Sequence, residues 1–294
     1  MRLNPIVKKD VKVQARSIRI CIEMFAYELI LALIFFFAML IITQENYYST
    51  NNLYSSMVWL YPVLAVAQLC IIGVVVPIRT ASAISGEKER QTFDIMMTTS
   101  MTPLSIVLGK VMIAMIQSMF FVVASLPIMA LVFIVGGMSW GYLFWFFCVA
   151  LLVSLFAASI GIFCSSICKK SISAVILSYA FYVVFFGATF IPILLAELAQ
   201  AYNGQLRGTG SYNSMMFLLA NPIIYLAEFF TKVMSGESLV RQMIDSTMTQ
   251  GHTLLGYLTS GDWWLIVSTI VFLVISLLFL LFSAKRVNPI KKRR

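Results

Sequence analysis

The chain has 294 residues, 61% of them hydrophobic and only 11% charged, with a mean hydropathy of +0.93 and a net charge of +9. Soluble domains run near 45–50% apolar and about 25% charged, so that class is excluded. Runs of roughly 20 apolar residues, each long enough to cross about 30 Å of hydrocarbon, recur along the chain and predict an all-α polytopic membrane protein.

Residues 1–21 come first and read as an interfacial helix. Over residues 4–19, Val7, Val11, Ala15 and Ile18 form one stripe, with Lys8, Lys12, Arg16 and Arg19 beside it at helical spacing. The same residues also suit a plain basic flank that orients the first span. The start does not read as a cleavable signal, because the apolar run begins late and TQENYYST after it lacks a small-residue cleavage site. The first predicted span, 22–42, carries Glu23 and Glu28 in one half. A carboxylate at membrane depth suggests a pathway or proton site, or else a boundary residue paired with Lys or Arg. The second span is predicted at 57–78.

Between the second and third spans lies SAISGEKERQTFDIMMTTSMTP. Ser85 is expected to cap a short helix over 85–100, with Glu87 and Glu89 near its positive end. Glu87–Arg90 and Arg90–Asp94 are expected as ion pairs at helical spacing, and Phe93, Met96 and Met97 as an apolar knob. Such a helix suits docking into a groove on a partner, or resting on the inner leaflet. Thr102–Pro103 reads as an N-cap with proline at the first helical position, opening the third span at 104–135.

The fourth span is predicted at 142–167 and the fifth at 174–195, with Glu197 just beyond it. Cys164 and Cys168 stand one helical turn apart, but the single histidine, His252, is remote in sequence, so small buried hydrophobes are the better reading. Residues 196–262 form the one sizeable segment outside the spans. Within it, residues 215–234 are nearly apolar enough to be a seventh span, but Asn221–Pro222 interrupts them and Glu228 and Lys232 mark the second half. Two short re-entrant or interfacial helices packed against the fifth and sixth spans are expected, with a tethering surface loop as the alternative. The sixth span is predicted at 263–282.

The basic residues decide the orientation. Eighteen of the 21 Lys and Arg fall in the N-terminal segment, the two alternate connections and the C-terminal tail; Arg207, Lys232 and Arg241 are the others. The positive-inside rule therefore predicts both termini in the cytoplasm of a multi-pass cell-membrane protein, and makes the excess charge topological rather than a sign of nucleic-acid binding. Tyr47, Tyr48, Tyr54, Trp59, Trp140, Tyr142, Trp263 and Trp264 gather at the opposite boundary, as an aromatic belt does.

No HExxH metalloprotease motif occurs, and GIFCSSICKKS lacks the second glycine of a phosphate loop. The chain thus reads as no enzyme and no cofactor binder; any ATP and Mg belong on another subunit.

Residues 84–110, ISGEKERQTFDIMMTTSMTPLSIVLGK, resemble the signature of the membrane subunits of type-2 ABC exporters. In that family a Gly-Glu-x-Glu-x-Gly-Thr-Leu pattern follows the second span, runs through small polar residues and a proline, and ends in Gly-Lys. Gly86, Glu87, Glu89, Thr92, Pro103, Gly109 and Lys110 match; Gln91 stands where glycine is usual and Phe93 replaces leucine. The Asn4-Pro5 opening, the six spans and the Arg286-x-Asn288-Pro289 tail extend the likeness along one permease domain, 1–294. The resemblance implies a coupling helix at 85–100 resting on an ABC ATPase subunit. Glu87, Glu89 and Arg90 would make its polar contacts, and Phe93, Met96 and Met97 would fill the ATPase groove. It further implies a second permease subunit, identical or paralogous, and a path along their interface lined by the first, second and fifth spans. Phe181, Tyr182, Phe185 and Phe186, with Glu28 as a path or boundary residue, suit an amphipathic or hydrophobic cargo such as a peptide. A membrane anchor for an ATPase acting on an external protein, or a channel or ion-coupled carrier, are the rival readings.

Overall fold

The computed structural model describes residues 17–45, 56–93, 102–136, 140–203, 216–243 and 263–287. The expected interfacial helix of 1–21, Met96, Met97 and the basic tail from 288 fall outside them, apart from residues 17–21. Among the described residues the chain is helical without strands: α1 (Ile18–Glu45), α2 (Leu60–Glu89), α3 (Pro103–Ala124), α4 (Leu126–Gly136), α5 (Trp140–Ile167), α6 (Ser171–Ala188), α7 (Ile191–Asn203), a 3-10 turn (Met216–Ala220), α8 (Pro222–Ser235), α9 (Leu239–Met243) and α10 (Trp263–Val287). Six helical stretches are long and apolar enough to cross a membrane, as expected. This is an all-α polytopic membrane protein.

Three expected boundaries need correction. The second span does not end near residue 78; its helix runs on to Glu89 and takes in the residues assigned to the start of a separate helix. Ser85 is therefore no N-cap, and its hydroxyl donates to the Ala81 carbonyl at 2.6 Å. The third span is broken at Ser125, and the fifth between Ala188 and Ile191. Pro127 and Pro192 lie just beyond these breaks, and proline has no N–H to continue the helical ladder. Thr102 caps α3 as predicted, accepting from Ser105 N–H at 3.3 Å with Pro103 in the first turn.

The chain divides into two compact units, Met1–Ser178 with Ser276–Arg294, and Tyr179–Ile275; the divisions fall inside α6 and α10. The centre of the first unit is the packing of α2 on α5. Two-thirds of the apolar window of α5 is buried (67%), against 11% for α1, so α5 is a core helix and α1 a peripheral one. Helices in lipid gain nothing from hiding apolar surface from water, so close backbone approach through small residues drives their association. Ala157, Ala158 and Gly161 on α5 and Ala65, Thr80 and Ala81 on α2 supply such residues. A Cβ built on Gly161 would lie 2.0 Å from Thr80 Oγ1 and 3.2 Å from the Ala81 backbone nitrogen, so only glycine fits there. At the other end of the pair Tyr61 Oη donates to the Tyr142 carbonyl at 3.2 Å, and its ring meets Phe133 edge-on.

In the second unit Asn221 has two jobs. Its Oδ1 accepts from Ile223 and Ile224 N–H, capping α8, and its Nδ2 donates to the Phe186 carbonyl (3.3 Å) and Thr189 Oγ1 (2.7 Å), at the break of the fifth span. Ser268 donates to the Leu219 carbonyl at 2.6 Å, and Tyr225 and Thr269 share a hydrogen bond of 3.1 Å. The Asn-Pro turn thus packs on both the fifth and the sixth spans, as expected. Leu218, Ile224, Val240 and Trp264 form its apolar core. Glu228 is fully buried and accepts from Val240 N–H at 2.9 Å, so its side chain serves the α8–α9 join. At 14 residues, α8 is too short to span.

Candidate functional site

Four residues, Gly86 to Glu89, form the last turn of α2, and each charged side chain among them grips a different helix. Glu87 pairs with Lys110 of α3 at 2.7 Å. Lys88 Nζ donates to the carbonyls of Ser165 (3.3 Å), Ser166 and Cys168 (3.3 Å), the acceptors left open where α5 ends. Glu89 accepts from the backbone N–H (3.1 Å) and hydroxyl (2.8 Å) of Ser171, the first residue of α6. The cation therefore stands at a helix C-terminus and the anion at a helix N-terminus, the arrangement that helix dipoles favour. Ser165 Oγ adds to the join, accepting from Ile84 and Ser85 N–H at 2.9 and 2.8 Å. The Glu87–Arg90 pair expected from spacing gives way to Glu87–Lys110, because Lys110 reaches the same carboxylate from a neighbouring helix. Arg90 is exposed.

The chain leaves α2 by a Schellman turn. Thr92 N–H donates to the Glu87 carbonyl at 3.0 Å and Gln91 N–H to the Lys88 carbonyl at 3.2 Å, with Gln91 at φ +59°. That left-handed position favours glycine, the residue that the resembled pattern carries here. Gln91→Gly is expected to stabilise this turn by about 0.5–1 kcal/mol. Slower hydrogen exchange at amides 91 and 92 checks it, and Gln91→Val should shift exchange the opposite way. Phe93 follows directly, half-buried, with the Lys88 ammonium 5.8 Å from its ring centroid. An open cleft beside the turn is lined by Ser82, Gly86, Arg90, Thr92 and Ser171 together with Glu87 and Glu89.

The other candidate residues stand apart from this cluster. Glu28 is half-buried on α1, with one carboxylate oxygen enclosed and without a hydrogen-bond partner among the described residues. Glu23, the other acid of that span, forms an ion pair with Arg79 of α2, which also donates to Gln117 Oε1 at 3.0 Å and lies over the Phe121 ring. In the second unit Tyr182 is buried and stacks on Phe186 at 5.7 Å, whereas Phe181 and Phe185 are half-buried. The outward face of α6 there is Val183 and Val184, not the aromatic residues.

Several partners escaped the sequence reading: Lys88, Ser171 and Ser165 in this site and, outside it, Arg79 as the particular base that pairs with Glu23. Lys110 had a signal, since it closes the Gly-Lys end of the resembled pattern. The others are joined over 56 to 82 residues, where no local spacing betrays them. In comparisons with known proteins, the chain matches no family model and no curated sequence.

Proposed function

We propose that the chain is the membrane subunit of an ATP-driven ABC exporter, working with a separate ATPase subunit and a second permease subunit. An amphipathic or hydrophobic cargo, such as a peptide, would leave the cytoplasm by alternating access. The observation that carries this reading is the last turn of α2. One short segment is bonded to α3, α5 and α6 at once, so a force on Arg90 and Phe93 just beyond it reaches those helices without a slack loop between them. A two-state transporter needs that stiffness, because coupling travels through packed elements that move together. The resemblance over 84–110 supplies the partner's class. The same segment serves a non-transporting membrane anchor equally well, and cargo movement separates the two.

The test is reconstitution in vesicles with a candidate ABC ATPase, sought first in the reading frames adjacent to this chain's own, followed by a screen of amphipathic peptides for stimulated hydrolysis and accumulation. Glu89→Lys puts a cation at the α6 N-terminus, and is expected to cut transport at least about tenfold while most of the assembly persists. Transport equal to wild type would remove this carboxylate from coupling. For orientation, single cysteines at positions 237 and 245 should react with an impermeant thiol reagent from outside the cell, and one at 292 should not. Reaction at 292 alone would overturn the proposed cytoplasmic C-terminus.

A further inference from the structure

Arg79 is 19 residues on from Leu60 in α2, a rise of about 29 Å. With Trp59 and Leu60 at one boundary of hydrocarbon roughly 30 Å thick, Arg79 stands at headgroup depth on the other. That is also the end of the bundle where the basic connections gather. Arg79 and Lys110 line one crevice there, with Thr80, Ser82 and Gln117 between them and no carboxylate in the lining. Both side chains stay partly exposed, at 24% and 14%. Their carboxylate partners reach them from outside the lining: Glu23 from the peripheral α1, and Glu87 from the end of α2. The guanidinium carries five N–H groups, and Gln117 and Glu23 take up two of its nitrogens.

The apolar dimple that adjoins the crevice at Arg79 and Gln117, walled by Ile71, Val75, Val76 and Phe121, has room for about one water-sized group (10 Å³), so the crevice itself must hold any ligand. Two cations lining one crevice at headgroup depth match one ligand chemistry, the phosphate ester of a membrane lipid. We propose that this crevice binds the phosphate of an anionic phospholipid, Arg79 and Lys110 holding the headgroup at the membrane boundary. A free phosphate shares the headgroup chemistry but lacks the acyl anchor that keeps a lipid phosphate at this depth. Lys110 also pairs with Glu87 of the proposed coupling turn, so binding is tested with the ATPase left out.

The full chain, with its five cysteines replaced and Ser82→Cys carrying a small fluorophore, is placed in nanodiscs without any ATPase. Failure here therefore says nothing about the coupling reading, and the reverse holds too. Brominated phosphatidylglycerol is expected to quench at a roughly tenfold lower mole fraction than brominated phosphatidylcholine. The charge-balanced variants Arg79→Gln with Glu23→Gln, and Lys110→Gln with Glu87→Gln, should each shift phosphatidylglycerol toward the phosphatidylcholine curve. Should one variant misfold by circular dichroism, competition by unbrominated phosphatidylglycerol against the wild-type signal decides in its place. Equal quenching by the two lipids overturns the proposal, as does a preference untouched by both variants. Relief of quenching by millimolar inorganic phosphate, matching that by phosphatidylglycerol, would mark a soluble-phosphate site and overturn the lipid assignment.

Discussion

Replacing Phe93 with Asp is expected to detach the proposed ATPase partner while leaving the membrane helices folded. Phe93 lies beyond the last residue of α2 and past its Schellman turn, so no helix-to-helix contact of the bundle is altered. Its ring is half-buried beside an ammonium group that already satisfies three carbonyls, so the exposed part of the ring is available for a partner's groove. A carboxylate at the centre of an apolar contact must be desolvated without a partner. Losing such an anchor costs about 2–4 kcal/mol, or roughly thirtyfold to nearly a thousandfold in affinity. Met97→Asp in the same chain should deepen the loss. Co-purification of the tagged chain with the ATPase, read against the thermal unfolding of the membrane subunit alone, checks both halves. A full complement of ATPase on the variant would overturn the docking role of Phe93.

The second large effect belongs to the bundle itself. Gly161→Ala is expected to destabilise the first unit by about 1–3 kcal/mol, the usual range for overpacking, and Gly161→Leu to prevent folding in detergent. The added methyl would fall 2.0 Å from Thr80 Oγ1 and 3.0 Å from Thr80 Cβ. Thr80 has little room to yield, because its hydroxyl donates to the Val76 carbonyl at 2.8 Å and the residue is buried. The backbone of α2 would have to move, straining the bonds between Ser165 and the Ile84 and Ser85 amides. Thr80→Ala in the Gly161→Ala chain should restore part of the loss by removing the nearest atom. Midpoints of thermal unfolding for the two single variants and the pair give the coupling directly. An unchanged midpoint in Gly161→Ala would show that α2 and α5 are not in this contact.

Hydropathy determined the helical class and the six spanning stretches, because burial in lipid depends on composition over about 20 residues and not on a partner. The Thr102–Pro103 start and the Asn221–Pro222 turn were equally legible, since a cap is a bond between residues two or three apart. Pro127 and Pro192 stood in view as breakers, yet hydropathy ran across both and hid the interruptions. Gln91 shows a local signal of another kind: a glycine position in the resembled pattern coincides with a left-handed backbone.

What only the tertiary structure decided is which charges meet. Within one helix Glu87 and Arg90 are neighbours, but Lys110 on α3 supplies the ammonium that Glu87 takes, across 23 residues of chain. Lys88 looked like one more positive charge for the topology, and its place over the end of α5 depends on Gly161 letting the two helices close together. Periodicity reports which face of a helix is apolar; it carries no information on the neighbour against which a polar atom comes to rest. The ends of these helices leave carbonyls and amides open, and charged side chains from a distant part of the chain satisfy them. Local chemistry therefore set where each helix begins and stops, and the close approach of α2 to α5 set which of those ends the Gly86–Glu89 turn joins.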